Sequence, residues 1–418
     1  YGISGVIRRD GTYRFTDQNL WGNFWSVSGR WNIEKEKFME GSVFDMLKLR
    51  ASYGTNGNQN ISAANYGFPS LLTSRNVIRE LIGVGAGYNN IPGSLLYGQI
   101  ANTTVGWEEV AQANLGLDFI MFKNKLEGNV DVYQKVTSNL FNSIPNSAVV
   151  GIQGNNGELR NRGIELLLKY NIIKNANTKI SVFANGSYNK NEVTKLTATN
   201  QSGVSNLIQP GNILREWNLI PYAGVNQANG NLLYLDANNN LTETPDEARD
   251  RRATGKSNLP VYQGGFGFNA DYKGFYANAL FSYMLDVWRI DNQFRWASNP
   301  AFIGGDNITS DFLNQWTPAN PTSNVPSLQA TNNNVFLDSD RFLYDSSFLR
   351  LKNISIGYNV PSKYLAKTFL SKVSFFVQGE NLLTWTKWRG FDPEAVNSLS
   401  VTNFPNPATI TFGTSIGF

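Results

Sequence analysis

Neither cysteine nor histidine occurs among the 418 residues. Without cysteine there are no disulfides, thiolate nucleophiles or sulfur-bound metals. Without histidine there is no Ser-His-Asp triad, no His-bound zinc and none of the usual neutral-pH proton shuttles. Charge is scarce as well: Asp, Glu, Lys and Arg make up 16% of the chain, where soluble domains carry about a quarter. The net charge of +4 is scattered rather than gathered into a basic stripe, so nucleic acid is not an expected partner. No apolar run approaches the roughly 18 residues of a membrane helix. No carboxylate pair stands out at catalytic spacing, and the chain is not expected to be an enzyme. The opening run YGISGVIRRD has no basic and apolar segments before it, so the chain is expected to begin either after processing or, the favoured expectation, inside a longer polypeptide.

Aromatic residues reach 13%, glycine numbers 38, and mean hydropathy is slightly negative at -0.30. That mixture suits strands with one apolar and one polar face, joined by many turns. The last stretch shows the pattern well. In ATITFGTSIGF, residues 408–418, Ala408, Ile410, Phe412, Ile416 and Phe418 share one face, while Thr409, Thr411, Gly413, Ser415 and Gly417 share the other. The same period of two marks strands over residues 1–10, 22–33 and 45–54, with a helical turn at 34–41. Hairpins follow over 110–122 and 125–136, 159–172 and 178–190, 261–272 and 275–287, and 348–358 and 373–383. In residues 348–358 the apolar phase changes from Leu349 and Leu351 to Ile354, Ile356 and Tyr358, which predicts a β-bulge near Lys352-Asn353.

About twelve strands result, in which short turns alternate with long loops, the signature of an outer-membrane barrel. Trp21, Trp25, Trp31, Trp107, Trp288, Trp385 and Trp388 fall near strand ends, as interfacial girdle residues or loop anchors would. Lys48, Arg50, Asp118, Glu127, Asp131, Lys135, Glu165, Lys169, Lys372 and Glu380 are expected on the inner face. The expected class is all-β, a transmembrane antiparallel barrel integral to the bacterial outer membrane and bathed in its lipid. One self-contained alternative is a twelve-stranded pore or adhesin whose first and last strands pair. A soluble carbohydrate-active β-protein fits poorly, because the strands present Ile, Leu, Val and Phe outward.

Several runs, in order along the chain, resemble the C-terminal part of the SusC/RagA family of TonB-dependent outer-membrane transporters: RRDGTYRF with WGNFWSVSGRW, LKLRASYGTNGN, WEEVAQANLGLDFIMFKNKLEGNVDVYQK, NGELRNRGIELLLKYN, FLRLKNISIGYNVPSKYL and SKVSFFVQGENLLTWTKWRGFDPE. The resemblance implies that residues 1–418 supply about the last 12 strands of a 22-stranded, plugged barrel. It further implies uptake of glycans, oligosaccharides or peptides with a SusD-like surface lipoprotein, energised by TonB-ExbB-ExbD through a plug outside this sequence.

Three groups of residues are candidate sites. Asp236, Asn238, Asn240 and Glu247 stand at EF-hand positions 1, 3, 5 and 12, although position 6 is Leu241 where a calcium loop has Gly. Calcium is the minority expectation there and an Asn-rich turn the majority one; no other cofactor is expected. Trp288, Trp296, Trp316 and Trp388 are candidate substrate contacts in the loops, set against ordinary loop packing. Phe412, Ile416 and the terminal Phe418 resemble the signal read by the barrel-assembly machinery, set against a simple girdle role.

Overall fold

The structure is a computed structural model that describes residues 1–60, 78, 81–85, 94–99, 101–144, 152–196, 209–394 and 404–418. Much of the long loop predicted between residues 55 and 108 lies outside the described residues. Twelve strands follow one another in chain order in a single sheet. They are β1 (Gly2–Gly11), β2 (Trp21–Asn32), β3 (Phe44–Asn58), β4 (Glu108–Met121), β5 (Leu126–Ser138) and β6 (Glu158–Lys174), then β7 (Thr178–Lys195), β8 (Tyr262–Tyr272), β9 (Phe275–Leu285), β10 (Phe348–Asn359), β11 (Lys372–Thr386) and β12 (Thr409–Gly417). Consecutive strands pair antiparallel from β1 through β6 and from β8 through β12. The chain divides into two compact units, the first containing Tyr1–Tyr170, the second Arg215–Phe418, with β6 and β7 contributing to both.

In the first unit, strand register lines apolar residues up across the sheet. Gly29, Ala51, Leu115, Val132 and Ile164 form one row, and Leu49, Leu117, Val130 and Leu166 the next on the same face. The opposite face carries Arg50, Gly116, Asp131 and Glu165 in register. Leu115, Val132 and Ile164 are 52%, 48% and 47% exposed. A continuous exposed apolar face on this scale needs lipid or a partner to cover it.

The second unit repeats the arrangement. Ala270, Ala277, Ile356, Val377 and Phe412 make an outward row; Asp271, Tyr276, Gly357, Phe376 and Gly413 make the inward row beside it. In that inward row aromatics and glycines alternate. The ring of Tyr276 occupies the space a side chain at Gly357 would need, and the ring of Phe376 does the same over Gly413. Each ring therefore lies flat on the backbone of the next strand.

The bulge predicted near Lys352-Asn353 is present. Phe281 faces Leu351 and Leu280 faces Asn353, so Lys352 is the extra residue on β10. The β8–β9 turn, Lys273 (φ 49°) and Gly274 (φ 97°), has both residues in the left-handed region, as a two-residue hairpin of the right twist requires. The β4–β5 turn is longer than the two residues expected: Phe122, Lys123 and Asn124 all have positive φ. The helical turn expected at 34–41 is two short 3-10 turns, Ile33–Lys35 and Lys37–Met39.

Strands run further than alternation indicated at their loop ends, β3 to Asn58 and β7 to Lys195. Above the lipid both faces are wet, so pairing continues while the apolar alternation stops. Polar pairs hold these extensions: Asn58 Nδ2 donates to Glu108 Oε2 at 2.7 Å, and Asn191 Nδ2 to Asn161 Oδ1 at 2.8 Å. Most of the deeply buried apolar side chains lie off the twelve wall strands: Val105 in the first unit, and Leu219, Ile220, Leu232 and Val287 in the second, with Val193 on β7 an exception.

The inward row yields the first prediction. Gly413→Val must lift the Phe376 ring, at a cost of about 1–3 kcal/mol. The heat-modified gel transition should move to lower temperature, and adding Phe376→Ala should recover part of the loss. An unshifted transition in Gly413→Val would contradict the packing described.

Candidate functional site

The inner face of the first unit carries an ion cluster. Arg50 Nη2 lies 2.7 Å from Asp118 Oδ1 and 3.0 Å from Asp131 Oδ2, and Lys48 Nζ lies 3.6 Å from Asp118 Oδ2. Strand register places these groups side by side, and Gly116 between them leaves room for the guanidinium. Glu127 and Lys169 form a separate pair at 2.7 Å, and Tyr133 Oη donates to Asn189 Oδ1 at 3.0 Å. Among the ten inner-face charges expected, the structure thus joins Lys48, Arg50, Asp118 and Asp131, and Glu127 with Lys169.

In the second unit, two long loops form a folded outer cap with its own core. Glu216–Leu219 pairs with Arg252–Ser257, and Trp288–Ile290 with Leu343–Asp345. Trp217, Leu219, Ile290, Val335, Phe342 and Leu343 pack together, beside a second cluster of Ile220, Leu232 and Tyr234. A carboxylate saturated by amides anchors one turn: Glu243 accepts from Asn226 at 2.6 Å, Asn229 at 2.9 Å and Asn231 at 2.7 Å. These bonds, Asn231's foremost, hold Glu243 below its ordinary range. Asp250, buried at 1% exposure, is held at about 2 by the Arg249 guanidinium and by the backbone N–H groups of Asp246 and Ala237. Burial pushes the carboxyls of Asp291, Asp338 and Asp340 upward.

A third cluster fastens the last loop to the wall. Arg350 on β10 is 3% exposed, and its guanidinium reaches Asp392 Oδ1 at 2.5 Å and Glu394 Oε2 at 2.8 Å. Lys352 adds a contact to Glu394 at 3.1 Å. Asn406 N donates to Asp392 Oδ2 at 2.8 Å, and Arg289 donates to the carbonyl of Pro393. Sequence reading missed this latch. Its signal was the single cation between Leu349 and Leu351, matched by the acidic FDPE run at 391–394.

The family pattern described as "TonB dependent receptor-like, beta-barrel" matches residues 4–382. The chain belongs to the TonB-dependent receptor β-barrel family. It is 31% identical along its full length to TonB-dependent receptor P3 of Formosa agariphila, and 25% identical to TonB-dependent receptor SusC of Bacteroides thetaiotaomicron. The chain spans 44% and 42% of those relatives, less than half of each. A solved structure, that of the RagAB peptide transporter, superposes over the whole chain with a TM-score of 0.85 at 28% identity, and 46% of that chain is covered. The protein is accordingly a β-barrel of the outer membrane.

Within this receptor barrel the sequence-chosen residues fall as follows. Asp236, Asn238 and Asn240 meet in one turn, where the Asp236 carboxylate accepts the N–H groups of Asn238 and Asn240, both at 2.8 Å. Glu247 is bonded elsewhere, to Arg251 at 2.6 Å. Among the described residues no group of three or more acidic side chains is placed to hold a metal. Trp316 donates to Gln227 O at 3.0 Å, and Trp288 donates to Asp286 at 3.2 Å beneath the Lys256 ammonium. Trp388 packs against Gly390. Trp296 is the more open of the four at 40% exposure, stacked on Phe302 at 4.5 Å. Phe412, Ile416 and Phe418 are all exposed on or beside β12, with Phe418 stacked on Phe369 at 5.9 Å. Trp25 and Trp385 are about half exposed, in keeping with girdle positions. Trp107 instead anchors a loop, edge-on to Phe15 and Phe24.

Two predictions follow from these clusters. Arg350→Met leaves the buried Asp392 without its cation and Glu394 with Lys352 alone, a loss of about 3 kcal/mol or more. Hydrogen exchange in residues 387–394 should speed by roughly 100-fold, and far less in Lys352→Met. For Asp250 the folded value lies below the unfolded one. Its stabilisation is therefore full above about pH 4 and lost as pH falls toward about 2. Pepsin cleavage within residues 226–257, scaled to a denatured control, should rise across that window; Asp250→Asn should already be cleaved faster at pH 4.

Proposed function

We propose that residues 1–418 form the C-terminal barrel wall, about the last 12 of 22 strands, of a TonB-dependent outer-membrane importer of oligosaccharides or peptides. A SusD-like surface lipoprotein would deliver the cargo, and TonB-ExbB-ExbD would drive it through a plug domain. The observation that carries this reading is the whole-chain superposition on the RagAB peptide transporter at 28% identity. Strand pairing supports it. Among the described residues β1 is paired through β2 and β12 through β11, which leaves one edge of each for further strands, as lipid demands. The twelve-stranded pore would need those two edges to meet.

The roles divide by position. The Arg50 cluster and the Glu127–Lys169 pair lie on the inner face, where plug or cargo would pass. In the cap, Trp296 with its neighbour Phe336, 50% exposed, is the aromatic surface offered to a sugar ring, a peptide or the lipoprotein. Phe412, Ile416 and Phe418 present the aromatic terminal strand to the barrel-assembly machinery. No cofactor enters this reading; calcium at Asp236 is its minority branch.

A deletion strain supplied with defined peptides or oligosaccharides as sole nutrient tests it. Growth should fail on one class and return with the gene, but not when TonB is also absent. Undiminished uptake in the TonB-deficient strain would overturn the assignment.

A further inference from the structure

A groove of about 510 Å³ lies across β4–β7 in the first unit. Leu115, Val132 and Ile164 form its apolar part, and Arg162 and Lys190 form its cationic end. Register explains the arrangement. Ala113, Gln134 and Arg162 make the row directly beyond Leu115, Val132 and Ile164, toward the long-loop ends of the strands. Arg162 is two residues from Ile164 on β6 and so shares its outward face. Both cations are exposed. Arg162 lies 3.6 Å from Glu192, a carboxylate that already binds Arg160 at 2.8 Å. Arg160 and Arg162 thus share the Glu192 carboxylate on a face that a single row below is apolar.

Outward cations near the interface are tolerated cheaply. Cations bordering an apolar groove also match an amphiphile, with acyl chain below and anion above.

We propose that this groove binds a phosphate-bearing glycolipid of the outer leaflet. Its acyl chain lies along Leu115, Val132 and Ile164, and its phosphate meets Arg162 and Lys190. The long loops place the cationic end on the outer side of the membrane, where the leaflet is glycolipid. The inference is independent of what the barrel imports.

The test uses the full-length protein purified in detergent and challenged with lipopolysaccharide, the same lipid after phosphatase treatment, and phosphatidylglycerol. Native mass spectrometry and a binding titration give occupancy. At about five-fold per cation, Arg162→Gln with Lys190→Gln should weaken lipopolysaccharide binding roughly twenty-five-fold. Removing the phosphate should weaken it comparably. Lys135→Gln, on the opposite face of β5, should change nothing. Heat-modifiability on gels confirms the folded barrel in each variant, and if the double variant does not fold, the phosphatase arm and Arg162→Gln alone decide. Equal binding by the double variant, equal binding of the dephosphorylated lipid, or phosphatidylglycerol bound as tightly through the same two residues would each overturn the proposal.

Discussion

A peptide N–H or C=O inside a bilayer has no water to turn to, so each must find a partner in the protein. Every other feature of this wall follows from that requirement. It enforces continuous antiparallel pairing, and pairing fixes the register in which side chains meet across strands. Register then sorts residues into rows. One face collects Leu115, Val132 and Ile164; the other collects Arg50, Asp118 and Asp131. The low charge content and the near-neutral hydropathy are the average over these two opposed faces.

The apolar residues of the wall are spent on lipid, so burial has to be supplied elsewhere. It is found in the loops of the second unit, where Leu219, Ile220 and Leu232 reach 0% exposure. There the polar burden is met by dense local bonding: the Asn226, Asn229 and Asn231 amides around Glu243, and the backbone donors around Asp250. The chain therefore joins a sheet stabilised chiefly by hydrogen-bond pairing to a cap stabilised by an ordinary hydrophobic core.

This division decides what was legible in the sequence. Period-two alternation located all twelve strands and even the Lys352 bulge, because lipid imposes the alternation directly. It failed at the wet ends of β3 and β7, where both faces are polar and pairing leaves no apolar trace. The small strands of the cap, such as Tyr222–Val225 and Leu232–Leu235, were hidden for a related reason: they are short and separated by Asn-rich turns. Among site residues, the inner-face charges were readable from parity alone. Arg350 and Asp392 were not, since their meeting depends on a loop folding back over 42 positions of chain. The loop tryptophans were chosen for residue type, and the structure ties Trp288 and Trp316 into the cap by their indole N–H groups.

The Arg350 latch bears on how the outer mouth can move. One guanidinium, almost sealed from water, engages two carboxylates on the β11–β12 connection, while Arg289 grips the same segment from another loop. Residues 392–394, held from two sides, make a poor hinge. They are thus a fixed point of the outer mouth, and any movement at this end has to pivot elsewhere.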